Sequence, residues 1–219
     1  MTPALTSALE QQIADRLAQG LGELEVACDA GQQDKLVALV GLLHKWNRAY
    51  NLTAVRDPLD MVSRHLLDSA SILPWVKGPG VLDVGAGPGL PGLVLAILEP
   101  SLQVTLLDSN GKKVRFQRQA VMELGLTNAS PVQARVESFE APPGGFDQIV
   151  SRAFANLSDF IELTRNLVAD DGQWLAMKGP AVDDELAGLA TNVHQVSRHS
   201  LKVPFEPGNR ELVILEPSV

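Results

Sequence analysis

The sequence predicts an α/β fold: a mostly parallel sheet with crossover helices and an antiparallel C-terminal strand, preceded by a helical N-terminal region. Three observations lead there. Apolar residues recur at helix spacing through the first third of the 219-residue chain. From Val81 onward short apolar runs alternate with helical stretches, the pattern of strands joined by crossovers. At the C-terminal end two strand-like runs are separated only by Pro204, Pro207 and Gly208, which suits a closing antiparallel hairpin.

Taken in order, Leu5, Leu9, Ile13 and Leu17 mark one amphipathic helix, and Leu36, Leu39, Val40, Leu43 and Trp46 a second, with Gly20, Gly22 and Gly31 read as separators. Asp57-Pro58 reads as an N-cap with proline in the first turn and opens a helix through about Leu67, with Asp60 placed to suit the helix dipole. Residues rich in Pro and Gly between Pro74 and Gly80 mark the boundary between a helical region over 1–75 and an α/β domain over 76–219. Strands are expected at Val81–Val84, Val104–Leu107, near Pro131–Gln133, at Gln148–Val150, Trp174–Met177, Val193–Val203 and Glu211–Leu215. Helices are expected at Leu90–Leu98, Lys112–Leu124 and Leu157–Val168.

Composition sets bounds on function. With 45% hydrophobic and 20% charged residues the chain is too apolar for disorder. A lone Cys28 forms no intramolecular disulfide, and four scattered histidines offer no ligand cluster, so no metal is expected. Neither a signal peptide nor an apolar run of roughly 20 residues is visible, which makes the cytoplasm the expected compartment and leaves no membrane role. Nothing points to an obligate interface, so a monomer is expected. The net charge of −8 disfavours indiscriminate nucleic-acid binding, and any such partner must meet a local basic patch.

The chemistry concentrates at Val81-Leu82-Asp83-Val84, which runs into Gly85-Ala86-Gly87-Pro88-Gly89-Leu90-Pro91-Gly92 and then an apolar helix. Glycines serve where the chain turns with positive φ and where a ligand must touch bare backbone. Asp108 ends the next strand, 23 residues after Gly85, where an acid grips a ribose diol or caps the following helix, roles that do not compete. Asp83, two residues before Gly85, favours S-adenosylmethionine as the cofactor, because a carboxylate by the loop suits an ammonium and a sulfonium and repels a pyrophosphate. Pro88 and Pro91 also remove N–H donors that a pyrophosphate would use. A nicotinamide-dependent oxidoreductase stays open as the other reading. The favoured architecture is the Rossmann-like sheet of a class I methyltransferase.

Six segments carry a more specific likeness. They are His44-Lys45-Trp46-Asn47-Arg48-Ala49-Tyr50-Asn51-Leu52-Thr53, Arg64-His65-Leu66-Leu67-Asp68-Ser69, the Asp83–Gly92 loop, Leu106-Leu107-Asp108-Ser109, Ser151-Arg152-Ala153-Phe154-Ala155 and Lys178-Gly179. From about Leu42 onward the chain resembles the bacterial small-subunit ribosomal RNA guanine-N7 methyltransferases, also called glucose-inhibited division protein B. The resemblance implies transfer of a methyl group from S-adenosylmethionine to N7 of one guanine in the decoding-region loop of 16S ribosomal RNA. It implies naked RNA or the small ribosomal subunit as partner and cofactor contacts at Gly85, Leu90, Val136, Glu137 and Arg152. With the loop reading, the expected cofactor set is Asp83, Gly85, Gly87, Leu90, Asp108, Val136, Glu137 and Arg152. A methyltransferase of small molecules or of other RNA, and a non-catalytic assembly factor, are the alternatives.

Local charge gives RNA a place to bind. Lys112, Lys113, Arg115 and Arg118 stand within one helix without an acid, and Lys112, Arg115 and Arg118 share an arc opposite Val114, Phe116 and Ala120. An ordinary solvated helix face is the plain alternative. Arg135, Lys178 and Arg210 at strand ends extend the expected RNA set. Guanine N7 is a lone-pair acceptor without a proton, so methyl transfer to it demands no general base. Positioning groups are then the expected catalytic residues: Arg152, directly after the fourth strand, and Lys178. Phe154 is a candidate to stack on the base or to fill the core, and His65 reads as a hydrogen-bonded structural histidine more than a catalytic one.

Overall fold

In the computed structural model residues 5–152, 154, 156–179, 182–189 and 192–218 are described. Ala153 and Ala155 of the Ser151–Ala155 segment lie outside them. Three elements open the chain. Helix α1 (Ser7–Glu23) is capped by Thr6, and α2 (Ala30–Tyr50) by a reciprocal Asp29–Gln32 capping box. A third helical stretch begins as α3 (Pro58–Met61), widens into a π-helical turn (Val62–Leu67) and returns as α4 (Asp68–Ala70). Asp57 caps it with Pro58 at its start, as the sequence predicts.

The separators Gly20 and Gly22 lie inside α1. A methyl group on Gly20 would stand 2.3 Å from Leu67 Cδ1, so this glycine lets α1 press onto the π-helical turn. Tertiary packing overrides the local preference here.

The remaining elements are β1 (Gly80–Val84), α5 (Gly92–Leu98), β2 (Gln103–Asp108), α6 (Gly111–Glu123), β3 (Ala129–Gln133), β4 (Phe146–Ser151), α7 (Leu157–Thr164), β5 (Val168–Lys178), α8 (Asp183–Ala187), β6 (Val193–Leu201) and β7 (Arg210–Pro217). They form a sheet of order β3-β2-β1-β4-β5-β7-β6 in which β7 alone runs antiparallel to its neighbours β5 and β6. Two expectations change. The seventh helix ends at Thr164 and the fifth strand already begins at Val168, continuing through Asp170, Asp171 and Gly172 across a register shift against β4. The short acidic α8 had no apolar period by which to be seen.

Residues alternate between two cores, as the strand pleat requires. Val81, Val104, Leu106, Val150, Leu175 and Ile214 face α5, α6 and the N-terminal helices in one continuous cluster. Leu82, Leu107, Ile149, Trp174 and Leu215 face α7 and α8 on the other side. The N-terminal helices therefore share a core with the sheet. No helix among the described residues is long and apolar enough to cross a membrane.

Candidate active site

Sheet order reverses between β1 and β4, and in open α/β sheets ligands bind at the carboxyl ends of strands at such a switch. There β1 delivers Gly85, and Ser151 at the end of β4 donates to Val84 O at 3.1 Å, tying the two strand ends. Gly85 has φ +67°, and a Cβ placed on it would meet nothing within 4 Å: bare backbone facing open space. The Gly87 peptide is gripped from both sides. Its N–H donates to Asp108 Oδ2 at 2.8 Å and its carbonyl accepts from Gln117 Nε2 at 2.8 Å. Asp108 Oδ1 accepts the Asn110 N–H at 2.8 Å, so the acid at the end of β2 braces two loops at once.

A cavity of 380 Å³ opens here. Gly85, Asp108, Lys113, Arg135, Val136 and Glu137 line it together with Phe154. Four of the expected cofactor residues, Gly85, Asp108, Val136 and Glu137, thus meet at one space. Gly87 is buried in the loop behind it and Leu90 is 3% exposed in the core. Asp83 is sealed beneath the loop, where Oδ2 accepts the Gly92 N–H at 2.7 Å and Oδ1 has no hydrogen-bond partner. A Cβ on Gly92 would lie 2.9 Å from that carboxylate and 2.3 Å from Leu106 Cδ2.

Burial pushes the Asp83 carboxyl up to about 7, against the opposing pull of the Gly92 N–H and Arg152. A carboxyl whose pKa is raised by folding stabilises the fold fully below its unfolded value near 4, and that contribution is lost as pH rises through 7. We expect the cofactor-free protein to lose a few kcal/mol of unfolding free energy between pH 5 and pH 8, on the order set by the ~2 pKa units of the shift that lie above pH 5. Asp83→Asn should flatten that slope in urea titrations at the two pH values. An unchanged slope would move its origin elsewhere.

A second cavity, of 310 Å³, adjoins Arg152 and is bounded by Arg64, His65, Asp68, Lys178 and Arg210. The N-terminal helices build its floor. Asn47, 2% exposed near the end of α2, donates to Val55 O and accepts the Thr53 N–H, each at 2.9 Å. The loop so pinned offers the Thr53 hydroxyl to His65 Nε2 at 2.8 Å, while His65 Nδ1 lies 3.0 Å from Arg64 O. A carbonyl only accepts, so Nδ1 carries the proton and Nε2 accepts from Thr53. Burial first, then the neighbouring Arg152 charge, pushes the imidazole down to about 4. His65 is engaged on both ring nitrogens, the hydrogen-bonded state that the sequence reading expects.

Arg152 lies 3.3 Å from both Arg64 O and Asp68 Oδ2, and Arg210 Nε reaches the other Asp68 oxygen at 3.5 Å. Burial raises the Asp68 pKa and the two guanidinium groups oppose it. Lys178 is 9% exposed at its side chain and its ammonium is held by Glu185 at 2.6 Å and Phe154 O at 3.1 Å. Phe154 packs against Phe160 at 5.3 Å between ring centroids while also lining the first cavity.

The basic residues expected to meet RNA separate into three groups, of which one, Lys178 and Arg210, belongs to the second cavity. Lys112, Arg115 and Arg118 are exposed and surround a shallow depression with Tyr50, Asn110 and Gln133. Lys113 instead turns to Asp108 at 3.8 Å and belongs to the first cavity, as does exposed Arg135. A further depression of 740 Å³, between α1, α2 and the end of α6, is lined by no residue from a strand end.

A seven-stranded sheet of this order, with a glycine loop at the switch point and an acid ending β2, defines a class I methyltransferase. Residues 32–213 match the family described as rRNA small subunit methyltransferase G, GidB. Curated relatives of that name from Chromohalobacter salexigens and Pseudomonas aeruginosa are 60% and 54% identical. They cover 98% and 95% of this chain, and 99% and 98% of their own length respectively. The chain belongs to this family of small-subunit ribosomal RNA methyltransferases. Its first 30 residues, which the sequence resemblance left out, fall largely within the stretch aligned to the Chromohalobacter protein. The fold is shared more widely. A SAM-dependent methyltransferase from Aquifex aeolicus superimposes with TM-score 0.55 at 18% identity over 78% of this chain and 96% of that one. TrmN from Thermus thermophilus gives 0.54 at 17% identity over 78% and 53%.

Proposed function

We propose that the protein transfers a methyl group from S-adenosylmethionine to N7 of one guanine in the decoding-region loop of 16S ribosomal RNA, acting in the cytoplasm as a monomer. The observation that carries this reading is a pair of cavities at strand ends of the sheet, one at the β1/β4 switch point lined by bare glycine backbone and a carboxylate, the other beside Arg152 and rimmed by arginines, with Lys178 of the second donating to the carbonyl of Phe154 of the first. The residues fit the donor. Gly85 leaves room for a ligand against its backbone, Asp108 offers carboxylate lone pairs to a ribose diol, and the Val136–Glu137 turn lines the same space. When bound, S-adenosylmethionine supplies an electrophilic methyl group on a sulfonium.

The chain's own part is to position and exclude water. Guanine N7 carries no proton, and the one histidine at the site is neutral and engaged on both ring nitrogens, in keeping with chemistry that needs no base. Arg152 and Lys178 act as positioning groups at the strand ends, and the helical region over 1–75 forms the floor of the base-side cavity. Exposed large apolar side chains among the described residues are scattered at Met122, Val196 and Phe205, which suits a monomer.

The deciding experiment is transfer of labelled methyl from S-adenosylmethionine to unmodified small subunits and, separately, to naked 16S RNA, followed by mapping of the product. Label at a single guanine N7 supports the reading. Label at another base, or at none, overturns it. Lys112, Arg115 and Arg118 are proposed to meet phosphates. Replacing all three by glutamine should weaken RNA binding roughly 10- to 50-fold near physiological salt and reduce the log–log salt slope by about 2. Affinity for S-adenosylhomocysteine should not change. An unaltered salt slope in filter binding would remove these residues from the RNA surface.

A further inference from the structure

Among the described residues that line it, the 310 Å³ cavity holds one acid amid its cations. Asp68 is 5% exposed, set where the π-helical turn gives way to α4, and it borders the cavity. Its Oδ2 takes the Arg152 contact, while Oδ1 has no hydrogen bond and only the 3.5 Å approach of Arg210 Nε. A buried carboxylate oxygen left without a donor costs free energy that a ligand donor recovers. The basic rim alone would suit a phosphate, but an acid facing the same space repels one.

We propose that Asp68 is the specificity-determining residue that reads the target base, its carboxylate accepting the N1–H and the exocyclic N2 amine of guanine. The inference rests on the guanine-N7 reading above and adds the residue that selects the base. An ionised carboxylate only accepts hydrogen bonds, with two oxygens side by side. Guanine alone among the four bases presents two adjacent donors on its Watson–Crick edge; adenine, cytosine and uracil each place an acceptor beside a donor there. Bases taken out of a stack are read along that edge. N7 lies across the purine from N1 and N2, so a guanine held at Asp68 keeps its reacting nitrogen clear of the acid. A cavity of this size suits one purine. Arg152 then has two tasks: its Nη1 orients Asp68, and it carries further N–H donors on the same planar group toward a base carbonyl.

The test uses small subunits reconstituted with guanosine or inosine at the methylated position. Inosine keeps N7, O6 and N1–H and lacks only the amine. The wild-type enzyme should lose roughly 10- to 100-fold in kcat/KM on inosine, the size of a charge-assisted hydrogen bond. For Asp68→Asn the two substrates should differ by less than about threefold, and Asp68→Glu, which keeps the carboxylate, should retain a guanosine preference. Equal wild-type rates on the two substrates would overturn the proposal, and so would an Asp68→Asn enzyme that keeps the full guanosine preference. Should Asp68→Asn turn over too slowly to measure, the comparison passes to its binding of the two subunits when loaded with S-adenosylhomocysteine. Equal affinities support the proposal there and a retained preference overturns it. Methyl at N7 of both substrates at equal wild-type rates leaves the guanine-N7 reading intact while removing Asp68; no N7 methyl on guanosine removes that reading itself.

Discussion

Arg152→Ala is expected to lower methyl transfer about 10²- to 10³-fold while the protein stays folded. The side chain is the joint of the site. It leaves the end of β4, lines the base-side cavity, and joins Arg64 O and the Asp68 carboxylate at 3.3 Å each, linking two segments 84 residues apart. Removing one preorganised donor from such a site typically costs a rate factor of that size, and a displacement of about 1 Å in the reacting groups costs about as much. The structural cost is smaller. Both contacts are long, the side chain is 23% exposed, and Asp68 keeps Arg210 nearby, so about 1–2 kcal/mol of stability is at stake. Arg152→Lys should recover little, because an ammonium can meet Arg64 O and Asp68 from its one nitrogen but lacks the further N–H donors that the guanidinium holds in a fixed plane. Single-turnover methylation with a thermal melt decides it: turnover near wild type in a folded variant would remove Arg152 from the reaction.

The site was half legible in the sequence, and the division has a physical cause. The glycine loop and Asp108 could be read because their function is local. A strand must end, a ligand must touch backbone, and an acid must follow at the end of the neighbouring strand, and each requirement leaves a fixed spacing. The basic face of α6 was legible for the same reason, since helix geometry sorts Lys112, Arg115 and Arg118 from Phe116 and Ala120 without reference to the rest of the chain. Lys113 and Gln117 were not. On the same helix, one bends back to Asp108 and the other grips Gly87, which only the packed structure reveals. The Asn47–Thr53–His65 chain and the Asp68–Arg152–Arg210 cluster are long-range by construction: residues distributed over α2, the π-helical turn, β4 and β7 meet at one point. Arg152, Arg210 and His65 stood out singly in the sequence, and the segments of Asn47, Thr53, Asp68 and Arg152 carried the family resemblance, but their pairing left no local signal beyond an acid placed directly after Leu66 and Leu67 in a helix, which burial makes costly unless a partner arrives from elsewhere. The fold followed the same rule. Its alternating core was readable, whereas the start of β5 was hidden behind Asp170, Asp171 and Gly172, which break the apolar run and lie between the pairings of Val168 and Gln173 with β4.

Asp108→Ala is expected to raise the dissociation constant for S-adenosylhomocysteine at least 100-fold, about 2.7 kcal/mol. Two losses combine. A carboxylate accepting from both hydroxyls of a ribose contributes roughly 1.5–3 kcal/mol through each charge-assisted bond. The same substitution also strips the Gly87 and Asn110 N–H groups of their acceptor, so the loop that shapes the cavity loosens. These can be told apart with an analogue of S-adenosylhomocysteine lacking the ribose 2′-hydroxyl. Wild-type protein should bind the analogue at least tenfold more weakly than the parent, whereas Asp108→Ala should bind the two alike, because the partner of the missing hydroxyl is already gone. If calorimetry instead finds the deoxy penalty undiminished in Asp108→Ala, the acid only braces the loop and the ribose is held by another group. Asp108→Asn separates the roles further. Its amide oxygen still accepts from one backbone N–H, so stability should return toward wild type while affinity, which depends on the second acceptor and the charge, stays low.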